Sequence, residues 1–290
     1  MSDRKFYKMT HDVLFKYVFG RTEQSRILMA LVNALLQLKG KDEIKSIELL
    51  NPYNYQGYVG DKLSILDIKA KDGNDVLYNI EMQVDVPDFW SQRVLFYASK
   101  LYSSQLEEKK AYKELNRTIS ISILDDTIFP EYEELHNSYR FRHDKDFSVL
   151  GGKLIELHFI ELPKYKKDKP RSMSTKLEKW LHALSFSELY EEDAMPKELE
   201  SDEFIKKAIE SLRCGNSDRK VRELIEAREK YERDYISREV AAEDRGERKG
   251  LKKGREERER EMAKTMKEEG SSIEFIQKVT GLSKKEIKKL

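Results

Sequence analysis

A chain of 290 residues is long enough for one catalytic-sized domain with a real core plus an appendage. Lys and Arg (55) nearly cancel Asp and Glu (54), so any nucleic-acid contact has to come from a local basic patch, not from the global field. The single cysteine, Cys214, excludes an intrachain disulfide framework and a four-cysteine zinc site, and reads as a small core residue in a helix.

The first helical pattern covers residues 10–38, broken near Gly20 and then periodic through Ile27, Leu28, Leu31, Val32, Leu35 and Leu36. The opening residues contain neither a long apolar run nor a small-residue cleavage site. No stretch reaches the roughly 18 apolar residues of a membrane span, so the expectation is a soluble, cytoplasmic protein without a signal peptide.

Three strand-like runs follow, at 45–50, 62–70 (KLSILDIKA) and 76–84 (VLYNIEMQV). The first ends in the turn-rich NPYNYQG, and KDGND between the other two carries the hairpin signal Asp72-Gly73. Pro87 opens an amphipathic helix expected over 88–114, with Val94, Tyr97, Leu101 and Ser104 at helical spacing. TISISIL (118–124) reads as a buried strand, and KLIELHFIEL (153–162) as another, stopped by Pro163. The order helix, three strands, helix, strand defines a mixed α/β core.

Helical patterns resume at Thr175 and continue to the C-terminus, with a shift to long charged runs from about Arg228. Gly246, Gly250 and Gly254 recur every four residues, which on a helix places them on one face, open to a close helix partner. Each also costs up to ~1 kcal/mol against alanine, so a solvated connector fits the segment as well. Ser271–Glu274 and Ser283–Glu286 are both S-x-x-E capping boxes, and the two short helices they start are joined by Thr280-Gly281-Leu282 in a helix-turn-helix-like shape. The expected division is a main domain to residue 227, a charged helical linker over 228–270 and a small helical element over 271–290.

The chemically informative residues are acids inside apolar strands. Asp67 sits in ILDIKA and Glu81 in NIEMQ, where an idle carboxylate is costly. Strand alternation puts Glu81 and Gln83 on one face, and Asp67 joins them if the hairpin loop has three or five residues. With five, Asp67 opposes Asn79 and lies diagonal to Glu81, about 7–8 Å away, close enough to share one ion. Mg²⁺, held by one or two carboxylates plus water and phosphate, is the ion that suits such a pair. The alternative is a solvated strand face with the acids paired to Lys69 or Lys62. No H-x-x-x-H or Cys/His cluster suggests zinc, and no glycine-rich loop suggests a nucleotide site.

At these residues the sequence resembles the PD-(D/E)XK nuclease superfamily, specifically its recombination-promoting nuclease and transposase group. The resemblance runs through DVLFKYVFG (12–20), IELLNPY (47–53), LDIKAKD (66–72), IEMQ (80–83), SQRVLFYASKLYSSQL (91–106) and HFIELPK (158–164), and ends with VTGLSKKEIKKL (279–290). It implies a restriction-endonuclease-like αβββαβ core, with a mixed central sheet flanked by helices and a C-terminal helical extension. It also implies Asp67 and Glu81 as Mg²⁺ ligands, with Gln83 where the superfamily signature has lysine. Glutamine is neutral and can only hydrogen-bond, so the charge that steadies the transition state is unassigned. Lys69, on the face of Asp67, is one candidate source.

Asp12 resembles the acid that some members add to the metal site, although helix capping or an i,i+4 pair with Lys16 explains it almost as well. Arg93 reads either as a DNA-phosphate contact or as a buried partner of a site carboxylate. The basic loop PKYKKDKPR (163–171), with Lys164, Lys166 and Lys167, is a candidate phosphate-contacting segment or simply a solvated one.

The expected function is a Mg²⁺-dependent endonuclease on double-stranded DNA, tied to recombination or mobile elements. Homo-oligomers through the C-terminal helices are the expected assembly. The alternative is a DNA-binding or interaction protein on a nuclease scaffold that cleaves little or nothing.

Overall fold

The computed structural model describes residues 5–51, 53–54, 64–65, 67–106, 111–152, 154–166, 173–192 and 195–290. Helix α1 (Asp12–Phe19) buries Leu14, Phe15, Val18 and Phe19, and α2 (Ser25–Leu35) buries Ile27, Leu28, Leu31, Val32 and Leu35. The break near Gly20 is therefore real. The Asn33 amide of α2 clamps the Ile44 backbone, donating to its carbonyl at 3.0 Å and accepting from its N–H at 2.8 Å. This double bond steers the chain from the helix into β1 (Ile47–Leu50).

Next come β2 (Tyr53–Asn54), β3 (Ser64–Ile65), β4 (Ile68–Asp72), β5 (Leu77–Gln83), α3 (Trp90–Ser103), β6 (Thr118–Leu124), β7 (His136–Tyr139) and β8 (Ile155–Glu161). Six of the strands form one sheet in the order β1-β4-β5-β6-β8-β7, while β2 and β3 pair separately. Neighbours β1, β4 and β5 are antiparallel, β5, β6 and β8 parallel, and β7 antiparallel to β8. The expected mixed sheet with its αβββαβ core is thus present, extended by a hairpin-like edge.

The two sheet faces differ in chemistry. Ile68, Ala70, Ile80, Met82, Ile121, Ile123 and Ile160 share one face and are all buried. At roughly 25 cal/mol per Å² of apolar area, this face is a major source of stability. The other carries Asn79, Glu81, Ser120 and Ser122, all buried polar groups, and then Leu124 and Phe159. Helix α3 seals this second face with Trp90 and Val94, packed on Leu124 and Phe159. The polar residues are left at the centre of an otherwise closed layer.

Several expected boundaries move. The single strand expected over 62–70 is split, with 64–65 in a separate ladder, Asp67 in a bend and β4 starting at Ile68; residues 62–63 lie outside the described residues. The hairpin uses the three-residue loop, since Asp72 N–H bonds to the Val76 carbonyl at 3.0 Å and Asn74 and Val76 N–H groups bond to the Asp72 carboxylate. Helix α3 stops at Ser103, well before residue 114, and a separate 3-10 turn covers Tyr112–Glu114. The Ser103 and Ser104 hydroxyls bond back to the carbonyls of Lys100 and Leu101, which satisfies groups that a continuing helix would have used. Strand β7 was not expected, because HNSY has almost no apolar content and is ordered by pairing with β8.

The remaining helices are α4 (Leu162–Lys166), α5 (Lys176–Ser185), α6 (Lys197–Glu200), α7 (Glu203–Ser217), α8 (Arg219–Glu268), α9 (Ile273–Thr280) and α10 (Lys284–Lys289). Helix α1 lies hard against α7, where a Cβ on Gly215 would meet Leu14 and Tyr17 atoms at 2.8 and 2.9 Å. Cys214 does lie in a helix but is exposed, so the core reading of that residue is corrected.

The chain divides into two compact units, residues 1–224 and 225–290. In the second, α8 is continuous through all three glycines, and no heavy atom stands within 4 Å of a Cβ placed on any of them. Pairs such as Arg228–Glu232 (3.0 Å) and Arg255–Glu259 (2.8 Å) brace it at ~0.2–0.5 kcal/mol each. Ala263 near its end packs with Ile276 of α9 and Ile287 of α10 into a small core. The α10 capping box forms as expected, but α9 is capped by Ser272, one residue later than the S-x-x-E spacing suggested. Gly281 ends α9 at φ 73°, the left-handed conformation that glycine adopts without strain. Among the described residues no helix is long and apolar enough to cross a membrane.

Candidate active site

The β4–β5 ladder ends at the Ile68–Ile80 pair, and Asp67 lies in the bend just before it, its carboxylate reaching the Met82 N–H next to Glu81. The three-residue loop pairs Lys69, not Asp67, with Asn79, so the diagonal arrangement expected from a five-residue loop does not form. Asp67 is fixed through both oxygens: Oδ2 accepts from the Met82 N–H at 3.0 Å, and Oδ1 is 2.9 Å from Lys16 Nζ.

Glu81 is 4% exposed. Its Oε1 accepts from Asn79 Nδ2 at 2.9 Å, and the same amide nitrogen donates to Ser120 Oγ at 3.3 Å. Burial holds the Glu81 carboxyl above its ordinary range. The Asn79 hydrogen bond opposes that, the Asp67 charge adds to it, and the Arg93 and Lys16 charges pull it back. Around Glu81, Asn79 Oδ1 and the hydroxyl of Ser122, its register partner on β6, are buried without a hydrogen-bond partner among the described residues. Buried polar atoms are rarely left so.

The other expected residues fall as follows. Gln83 ends β5 on the Glu81 side, half-exposed, with its backbone carbonyl bonded to Asp125 N–H at 2.8 Å. Lys69 opposes Asn79 on the polar face; burial lowers its pKa, and it has no ion-pair partner among the described residues. Arg93 projects from α3, exposed, with its guanidinium over the rings of Trp90 (5.0 Å) and Tyr97 (5.5 Å). Asp12 starts α1, where its Oδ1 accepts from Val13 N–H and stands 3.2 Å from His11 Nδ1.

Lys164 is not on an open surface. It is 8% exposed, 2.6 Å from the fully buried Glu161, and donates to the carbonyls of Phe129 and Glu134. The side chain of Lys166 and the whole of Lys167 lie outside the described residues.

Sequence reasoning treated Lys16 only as a helix partner of Asp12, whereas its ammonium meets Asp67. Nothing in a linear pattern shows that α1 delivers a side chain to the start of β4. Ser120 and Ser122 did carry a signal, a period of two inside TISISIL, which an apolar reading of that strand passes over.

A mixed sheet with an αβββαβ core, bearing two neighbouring acids where two antiparallel strands meet a parallel one, defines the class of PD-(D/E)XK folds. The family model that matches, over residues 9–242, is described as PD-(D/E)XK nuclease family transposase. The chain belongs to that family, whose name ties it to nucleases of mobile elements. No curated protein and no solved structure matches it.

Proposed function

We propose that the protein is a Mg²⁺-dependent endonuclease that hydrolyses phosphodiester bonds of double-stranded DNA. The observation that carries this reading is the closeness of two acids: Asp67 is bonded to the Met82 N–H next to buried Glu81, and its charge acts on the Glu81 carboxyl. The donor set fits a hard divalent cation: two carboxylates suffice for Mg²⁺, which keeps several waters, and no group of three or more acids, histidines or cysteines among the described residues is placed to hold a metal ion. When bound, such an ion would polarise a phosphoryl oxygen and acidify a water. Asp67 and Glu81 would hold it, the Met82 N–H and Asn79 amide keep the two carboxylates aimed, and Arg93 offers a phosphate contact at the mouth of the site. Gln83 would orient water by hydrogen bonding alone.

The nuclease domain would span residues 1–227, with 228–270 and 271–290 as an appendage available for joining copies. The second reading, DNA binding without turnover, draws on the neutral Gln83. Supercoiled plasmid incubated with Mg²⁺ decides between them. Wild type should nick it, and Asp67→Ala and Glu81→Ala should each lose at least ~10²-fold in rate, the scale of removing a main source of transition-state stabilisation. Equal traces from all three proteins would sink the nuclease reading.

A further inference from the structure

The site contains a cation that the strand motif does not supply. We propose that Lys16 is a further residue of the hydrolytic site, acting in turn on its carboxylates and on the substrate phosphate. Before a divalent cation enters, its ammonium is the counter-ion of Asp67 and Glu81; afterwards it turns to the phosphate and supplies the positive charge that Gln83 lacks. This rests on the nuclease reading above.

Three observations carry it. The ammonium touches Asp67 Oδ1 at 2.9 Å, and the other oxygen is already held by the Met82 N–H. An ion shared with Glu81 therefore competes with Lys16 for the Asp67 charge. Next, the anchor is fixed and the head is free to move: α1 buries Leu14, Phe15, Val18 and Phe19, while the Lys16 side chain is 42% exposed on a flexible four-carbon stem. Finally, the other cations differ in kind. Arg93 acts on Glu81 from a guanidinium stacked on Trp90 and Tyr97, and Lys69 has no carboxylate partner among the described residues. Lys16 alone of the three is in an ion pair with an acid of the site. It transfers no proton in this role: the water oxygen bonds to phosphorus as one phosphorus–oxygen ester bond breaks, and a proton of that water ends on the leaving oxygen.

The test uses the full chain and Mn²⁺ as probe, with free Mn²⁺ read by electron paramagnetic resonance. Lys16→Met and Lys16→Gln remove the competing charge from a partly exposed position, and thermal melts report whether each variant folds. Both should bind Mn²⁺ severalfold more tightly than wild type, because the part-exposed Lys16–Asp67 ion pair no longer opposes the ion. Both should also cut plasmid at least ~10²-fold more slowly at saturating Mg²⁺. Lys16→Arg, which keeps the charge, should keep wild-type Mn²⁺ affinity and recover part of the rate.

Unchanged or weaker Mn²⁺ binding in the neutral variants, or unchanged cleavage at saturating metal, overturns the proposal while leaving the nuclease intact. If the parent reading is wrong the signature differs. Wild type would then neither cut nor bind Mn²⁺ through Asp67, as Asp67→Ala would show, and both would be discarded.

Discussion

Lys164 and Arg93 are both basic, and their surroundings assign them different work. The Lys164 ammonium lies inside the protein against Glu161, whose carboxylate also accepts from the Ile128 and Phe129 N–H groups and from Asn137. Removing one partner of a buried pair strands the other, so Lys164→Met should destabilise the fold by ~3–5 kcal/mol in urea titrations. DNA affinity, measured where the variant is folded, should keep the wild-type dependence on salt. Arg93→Ala should do the reverse, leaving stability nearly unchanged and lowering the slope of log K against log salt by about 1. A Lys164 variant that lost salt dependence without losing stability would contradict this division.

The same contrast marks what a sequence can reveal about single residues. Asp67, between Leu66 and Ile68, and Glu81, between Ile80 and Met82, stand out because an acid flanked by apolar strand residues demands an explanation in one dimension. Lys16 and Lys164 look alike in the chain. Only the third dimension shows one at the site's edge and the other buried.

Between elements, the sheet was legible wherever local pattern and pairing agree. TISISIL becomes β6 over the same seven residues, 118–124. The turn chemistry of Asp72-Gly73 marked the β4–β5 hairpin, but its length depends on Asp72, whose side chain accepts from two loop N–H groups and from the Tyr78 hydroxyl. That side-chain network selects the three-residue loop, and with it the register that brings Asp67 to the Met82 N–H, next to Glu81.

The β7–β8 edge was illegible because its strand is polar, and its polar chemistry gives it a pH response. His136 Nε2 is 2.9 Å from His158 Nδ1. Burial, with the neighbouring His158 and Arg140, lowers the His136 pKa to about 4 from an ordinary 6.5. Between those values the unfolded chain takes up a proton that the folded chain refuses, so stability is full above pH 6.5 and is lost as pH falls towards 4. Burial raises the Glu156 pKa, but His158 and Arg117, 2.6 Å away, together with Arg140 outweigh it and bring the value to about 2. Its contribution is present above the ordinary 4.5 and is lost only below that. His136 therefore contributes to the first phase of acid destabilisation, alongside His182, whose pKa burial also lowers. His136→Gln should flatten the urea midpoint between pH 6.5 and 4 while leaving the phase below pH 4.5 in place. Parallel curves for the variant and wild type across the upper window would refute the assignment.

At the scale of the whole molecule, the two units are stabilised by different physics. The first has a sheet with one apolar face and a second face sealed by α3, and helices capped by side chains, such as Thr175 and Glu178 at α5 and Asp202 at α7. The second relies on one small cluster around Ala263, Ile276 and Ile287, and on i,i+4 ion pairs along α8 that are individually weak. Composition announced this difference from about Arg228 onwards, since a segment with so few apolar residues has little to bury. It could not announce that the helix would run unbroken through Gly246, Gly250 and Gly254, because the cost of three glycines and the gain from many charge pairs are of similar size. All of the candidate residues on which the hydrolytic reading turns, from Lys16 to Arg93, lie in the first unit. A chain ending at residue 227 keeps that unit's sheet, its helices and the buried Val221 and Ile225 of early α8. It should melt as cooperatively as the full chain, within a few degrees of it, and bind Mn²⁺ with the same affinity. If the truncated chain instead lost cooperative melting or Mn²⁺ binding, the C-terminal unit would have to be counted as part of the catalytic fold.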